Sequence, residues 1–415
     1  MSSTIVIRGA TAIPCNGASP IPDAVVAIEG DRIAFVGATS DEAAQGRGSG
    51  EVREIEATGM YLIPGLVNLH DHLDMHRIPG TMHDRVAGPP ELTILNSARN
   101  ALISVAKGVT TIRDLGSKDA TNIVMRNAIA ARRVIGPRVH ACGQMISITG
   151  GHGQPLCAEG DGVDGIRHVT REQIKKGADV IKVCASGGVV AMKHESPWAQ
   201  QLTDEELLAA VTEAHRAGLR VASHAQPPVA IQASVRAGVD TIEHGAFLDR
   251  ETAALMAEHE VVFVPTVDDS VSVADHGADL SRPAWMVEAA RASIDSRMRA
   301  ITYAIEAGVV LGVGSDVAGE CGREMAHLVA CGLTPIQALE AGTRVGAETM
   351  GLQNDLGTID PGKLADLVLL ARDPLYDLKA CDDAVEVVIK GGTPMIAREL
   401  LSAIPGGTLL APAVG

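Results

Sequence analysis

AGLRVASH, residues 217–224, is a helix end, a glycine, and a strand that finishes on a histidine. The phrase returns as KGVTTIRD (107–114), KGADVIKV (176–183), AGVDTIEH (237–244) and AGVVLGVGSD (307–316). Each glycine (Gly108, Gly177, Gly218, Gly238, Gly308) fits a left-handed helix C-cap. Each apolar run that follows ends on, or one residue short of, a chargeable side chain: Asp114, Lys182, His224, His244 and Asp316. Leu62–Asn68 and Val261–Pro265 read as two more such strands, and one near Val139–Gly143 completes eight. Repeated helix–glycine–strand units imply a parallel α/β sheet. Eight units over residues 60–359 predict a TIM-like (β/α)8 barrel, with its site at the C-terminal strand ends. A doubly wound open sheet repeats the same unit, but it gathers a ligand at one switch point rather than on many strands.

Outside this region the style changes. Thr4–Arg8, Asp23–Glu29, Arg32–Val36 and Glu51–Ile55 read as short strands between Gly, Pro, Asp and Asn turns, and Asp366–Leu370 and Val385–Lys390 resume them. Composition narrows the function classes. Two Trp, three Tyr and three Phe in 415 residues leave few rings to stack on nucleobases. A formal net charge of -16 disfavours a nucleic-acid groove or an anionic membrane surface. Seven scattered cysteines without C-x-x-C spacing suit a reducing compartment. With no signal-peptide pattern and no long apolar run, the expectation is a cytoplasmic enzyme with a small-molecule substrate.

The chemistry concentrates at the strand ends. In GLVNLHDH (65–72), His70 and His72 stand two apart on extended chain, so both imidazoles share a face. Together with His224, His244 and Asp316 they make the donor set of a hydrolytic zinc or manganese centre. Lys182 is the odd member, a lone lysine among apolar neighbours in DVIKVCA. It can snorkel or pair with an acid. Carboxylated by CO2, it becomes an anion able to bridge two cations.

These residues resemble the amidohydrolase superfamily over nearly the whole chain. PGLVNLHDH (64–72) matches its first-strand H-x-H motif, and Lys182, His224, His244 and Asp316 fall on its fourth, fifth, sixth and eighth strand positions. GTIDPGKLADLV (357–368) resembles the exit from the barrel into a small β-sandwich built from both termini, which implies domains of 1–59 plus 360–415 and of 60–359. SITGGHG (147–153), IKVCASGGV (181–189) and QLTDEEL (201–207) are most similar to the imidazolonepropionase-like group that includes binuclear prolidases and Xaa-dipeptidases.

The resemblance implies two divalent ions, zinc in the first instance. His70, His72 and Asp316 would hold one, His224 and His244 the other, and carboxylated Lys182 would bridge them. It further implies that a metal-bridging hydroxide attacks an amide of a dipeptide or N-acyl amino-acid-like substrate, with Asp316 as general base and then acid. His152 would face the carbonyl. Prolidase-type members carry Tyr two residues after the fifth-strand His, where this chain has Gln226. That departure leaves Gln226, Arg113, Lys193, His194 and Arg323 as candidate substrate contacts, and His76 and His83 as residues of the pocket mouth. The alternatives are a mononuclear deaminase or cyclic-amide hydrolase with unmodified Lys182, and a non-catalytic binding homologue. Barrels of this kind often pair, so a homo-oligomer is expected.

Overall fold

All five repeat glycines take the left-handed backbone their phrase requires, with φ of 79° at Gly108, 91° at Gly177, 73° at Gly218, 92° at Gly238 and 78° at Gly308. The computed structural model describes residues 4–41, 52–76, 78–189, 195–317 and 319–404. Gly177, Gly238 and Gly308 are the C-caps of helices Gly162–Lys176, Pro228–Ala237 and Ala284–Ala307.

The first strands are β1 (Thr4–Ala12), β2 (Ile21–Glu29), β3 (Arg32–Ala38), β4 (Val52–Glu56) and β5 (Tyr61–Pro64). The middle supplies β6 (Leu66–Asp71), β7 (Val109–Asp114), β8 (Arg138–Ala141), β9 (Met145–Ser147), β10 (Cys157–Glu159), β11 (Val180–Cys184), β12 (Arg220–Ala225), β13 (Thr241–His244) and β14 (Val262–Val264). The last are β15 (Leu367–Leu370), β16 (Val385–Lys390) and β17 (Thr393–Ile396). Strands from both chain ends join in one sheet, ordered β17-β16-β15-β5-β1-β2-β3 with β4 on β1. Ile7, Val26, Ile28, Leu62, Leu367 and Ile389 pack together there, each worth about 1.5–3 kcal/mol on full burial.

The middle strands are parallel throughout: β6-β7-β8 in one ladder and β10-β9-β11-β12-β13-β14 in another. Asp179 N donates to the Ala141 carbonyl at 2.8 Å, tying the start of β11 to β8. At the other side residues 310–316 run between β14 and β6. Phe263 N donates to Val310 O at 2.9 Å, Leu69 N to Val313 O at 2.8 Å and Asp316 N to His70 O at 2.8 Å. These parallel ladders agree with the barrel expected from the repeat. An aliphatic cluster of Ala, Val, Leu and Ile fills the space between the strands and the helices.

Three expectations need correction. The strand Leu62–Asn68 is two strands, because the chain passes from one sheet to the other at Gly65. A Cβ there would meet Thr110 Oγ1 at 2.2 Å. The final repeat strand forms isolated bridges (Phe263 with Leu311, Asp71 with Asp316) rather than a continuous ladder. Its Gly314 lets the backbone approach β6, since a Cβ would sit 2.6 Å from that of His70. Thr334 and Pro335 read as an N-cap and N1 pair opening a helix through Glu348, but that helix is broken into Pro335–Ala341 and Arg344–Thr349, and the freed Gly342 carbonyl accepts from Val67 N at 2.8 Å.

Candidate metal centre

The predicted ligands converge on one cleft of about 740 Å³ at the C-terminal ends of the parallel strands, lined by His70, His72, Lys182, His224, His244 and Asp316. The H-x-H pair ends β6 with ring centroids 5.3 Å apart. His70 and His244 rings are 4.7 Å apart, and those of His224 and His244 4.5 Å. Ligand atoms of His70, His72 and Asp316 lie within 4.8 Å of one another, the spacing of a cation site. Asp316 Oδ1 is 3.8 Å from His72 Nε2 and Oδ2 is 3.8 Å from His244 Nδ1, too long for direct hydrogen bonds.

Strand geometry alone does not bring all of these inward. His224 and Glu243 are partners in the β12–β13 register, so they share a face. His244, one residue on, belongs by alternation to the opposite face. Its φ of 71° turns the chain at the strand end and returns the imidazole to the cleft. Asp316 does the same with φ of 50°. Non-glycine residues in this region are strained, and such strain gathers at functional sites.

Each imidazole is held from behind. His70 Nδ1 meets Glu243 Oε2 at 2.7 Å, His72 Nδ1 donates to the Gly116 carbonyl at 2.7 Å, and His244 Nδ1 meets Thr266 Oγ1 at 2.7 Å. His224 uses its other nitrogen, Nε2 donating to the Gly187 carbonyl at 3.3 Å. One ring nitrogen is thereby committed and the other left for a ligand. Burial holds His70, His224 and His244 well below the usual imidazole range, with nearby charge from Lys182 adding to the fall. A neutral imidazole is the form that binds metal. Burial works against the Glu243 carboxylate, yet Arg113, His70 and Lys182 bring its pKa down to about 2.

Lys182 differs from all of these. It is 1% exposed, and its Nζ has no hydrogen-bond partner among the described residues. Burial lowers its pKa, which favours the neutral amine that can add to CO2. The donor set of four imidazoles, one carboxylate and this orphaned amine fits a divalent-cation centre.

The substrate contacts fare unevenly. His152 lines the cleft, its ring stacked 3.9 Å from that of His224 and its Nδ1 2.8 Å from Glu195 Oε2. Gln226 lines it too, with Oε1 accepting from Ala246 N at 3.1 Å. Arg113 does not. Its guanidinium is committed behind His70, donating to Leu69 O, Thr241 Oγ1 and, at 2.8 Å, Glu243 Oε1. Arg323 is likewise held by Asp268 and Glu320. His76 is buried against Asp71 at 2.6 Å, and His83 is an exposed residue of the short helix Met82–Arg85. Lys193 and His194 lie outside the described residues.

Sequence reasoning missed Glu243, Glu195, Thr266, and the cleft-lining Arg85, Asp269 and Arg297. Glu243 stands beside a ligand in TIEH, but an acid adjacent to an inward residue reads as outward by alternation. The arginines come from helices whose rotation the sequence does not fix.

Comparison with known proteins gives the same direction. A profile described as the amidohydrolase family matches residues 61–395. Ochratoxinase from Aspergillus niger is 31% identical over 427 aligned residues, spanning 94% of this chain and 86% of its own length. A prolidase crystallised with N-methylphosphonate-L-proline superposes with a TM-score of 0.85 at 30% identity, covering 95% of this chain and 99% of its own. A Xaa-Pro dipeptidase with methionine bound in its active site gives 0.85 at 26% identity, covering 95% and 100%.

Proposed function

Since the chain belongs to the amidohydrolase family, we propose that it is a binuclear metal-dependent hydrolase of dipeptides or N-acyl amino-acid-like amides. It is a hydrolytic enzyme acting on C–N bonds. The observation that carries the finer reading is Lys182 Nζ, buried without a partner among the described residues amid His70, His72, His224, His244 and Asp316. His70, His72 and Asp316 would hold one ion, zinc in our reading, and His224 and His244 a second. Lys182, carboxylated by CO2 with loss of a proton, would serve both. Bound cations supply a polarised scissile carbonyl and a water acidic enough to attack at neutral pH. Asp316 accepts that water's proton and delivers it to the departing amine nitrogen. His152, steadied by Glu195, turns its Nε2 to the carbonyl oxygen, and Gln226 offers amide N–H groups beside it. The prolidase, dipeptidase and ochratoxinase relatives support this substrate class.

We further read the parallel strands as a closed (β/α)8 barrel of residues 60–359, with 1–59 and 360–415 forming the companion domain of a cytoplasmic homo-oligomer. The test is metal counting by plasma mass spectrometry together with hydrolysis of dipeptides and N-acyl amino acids, using Lys182→Ala as control. Two ions per chain and loss of turnover in the variant are expected. One ion per chain with full activity in Lys182→Ala would overturn the binuclear reading and favour a mononuclear deaminase or cyclic-amide hydrolase.

A further inference from the structure

The cleft has a second pole that metal binding leaves unexplained. Arg85, closing the helix Met82–Arg85, and Arg297, in the helix Ala284–Ala307, both line it beside Asp269. Arg85 is 8% exposed and Arg297 4%. Arg85 Nε is buried with no hydrogen-bond partner among the described residues. Arg297 reaches Ser293 Oγ and the Pro265 carbonyl, each at 3.4 Å, the weak limit of such bonds. Burial depresses both guanidinium pKa values, and at each the carboxylate that most resists the fall is Asp269, followed by Asp316.

Other arginines near the parallel strands are differently placed. Arg113 is matched to Glu243 and Arg323 to Asp268 and Glu320, while Arg282, whose Nε is also buried without a partner among the described residues, donates to the Gly80 carbonyl and does not line the cleft. Of the residues lining the cleft, Arg85 and Arg297 share Asp269, on which Arg282 also acts, because Asp316 is assigned to metal. Burying two cations with their donors poorly met is costly unless an anion completes the site.

We propose that Arg85 and Arg297 form a carboxylate subsite that holds the free α-carboxylate of the amino acid leaving as the amine. This rests on the amide-hydrolase reading above and adds where the substrate's charge is held. Both arginines line the cleft with Asp316, whereas His152 stacks on His224 and shares the carbonyl end with Gln226. An α-carboxylate is two bonds from the amide nitrogen. Held at the arginines, it sets that nitrogen beside Asp316, ready for its proton, and points the carbonyl to His152. Guanidinium forks match a carboxylate with paired hydrogen bonds. Gln226, which lacks an acidic hydroxyl, is then free of that task.

The test compares wild type, Arg85→Gln, Arg297→Gln and Asp269→Asn, each metal-loaded, on N-acetyl-L-amino acids and their neutral C-terminal amides. Wild type should prefer the free acids by at least about tenfold in kcat/KM. Each Gln variant should lose at least about tenfold more on acids than on amides, chiefly through KM. Asp269→Asn should move the preference the opposite way, which a folding defect cannot imitate. Unchanged preference in both Gln variants, or equal losses on acids and amides, would overturn the subsite. Calorimetric binding of the same acids and amides keeps the two readings apart. If no amide bond is cleaved, the hydrolase reading fails, while acid-selective binding lost in the Gln variants still upholds the subsite. Absence of acid-selective binding in wild type overturns it.

Discussion

The back of the cleft and its lining are built on opposite rules. Behind the imidazoles every polar contact is answered: Glu243 holds His70 and Arg113, Gly116 holds His72, and Thr266 holds His244. On its lining, Lys182 Nζ and Arg85 Nε are buried and unanswered among the described residues. Answered groups orient, and their value lies in rigidity. Unanswered buried groups mark where something from outside completes the site. The contrast separates residues that position from residues that bind.

Mutation can break the contrast at its sharpest point first. On the binuclear reading proposed above, Lys182→Ala should lower kcat/KM by more than about 10³-fold, because the group proposed to join the two ions is lost. Steady-state kinetics with parallel metal counting check this, and retention of both ions with near-normal turnover would show that the orphaned amine has no role. Chelation of wild type should abolish activity to a similar extent, with recovery on adding zinc, followed by the same assay.

Glu243→Gln attacks the answered side. It leaves Arg113 buried without its carboxylate, so about 3–5 kcal/mol of stability should go, seen in denaturant unfolding. Metal affinity should fall about 10–100-fold, through the loosened His70 ring. If affinity fell without any loss of stability, the buried pair would be a binding device rather than a structural one. Thr266→Val removes one neutral bond to His244 and should cost about 1 kcal/mol, visible as a several-fold weaker metal dissociation constant.

The smallest effect lies outside the cleft. Thr334 caps the helix Pro335–Ala341 through a capping box with Gln337. Thr334→Ala should cost about 1 kcal/mol, read as a lowered Tm. kcat/KM should stay at the wild-type value below the unfolding transition. A change in kcat would couple the cap to the cleft, and so blur the line between stabilising and functional regions.

Much of this was written in short local patterns. Glycine at the helix ends is legible because φ near 80° is open to it at no steric cost, and all five repeat positions use it. The H-x-H pair is legible because a strand's side chains repeat every second residue. Arg113 was misread for the same reason that Glu243 was missed: both are buried behind His70, and their commitment to each other links β7 with β13. No pattern within either strand announces a bond across 130 residues of chain.

The sequence by itself therefore determined the βα repeat, the strand-end donors and the aliphatic filling, since each depends on backbone preference and periodicity within a few residues. The tertiary structure alone decided which charged groups were matched and which were left facing the cleft. Pairing depends on distances between elements far apart in the chain, and on left-handed turns at His244 and Asp316 that override strand alternation. That is why the donors gathered in the cleft could be read from the chain, while Arg85 and Arg297 emerged only from its fold.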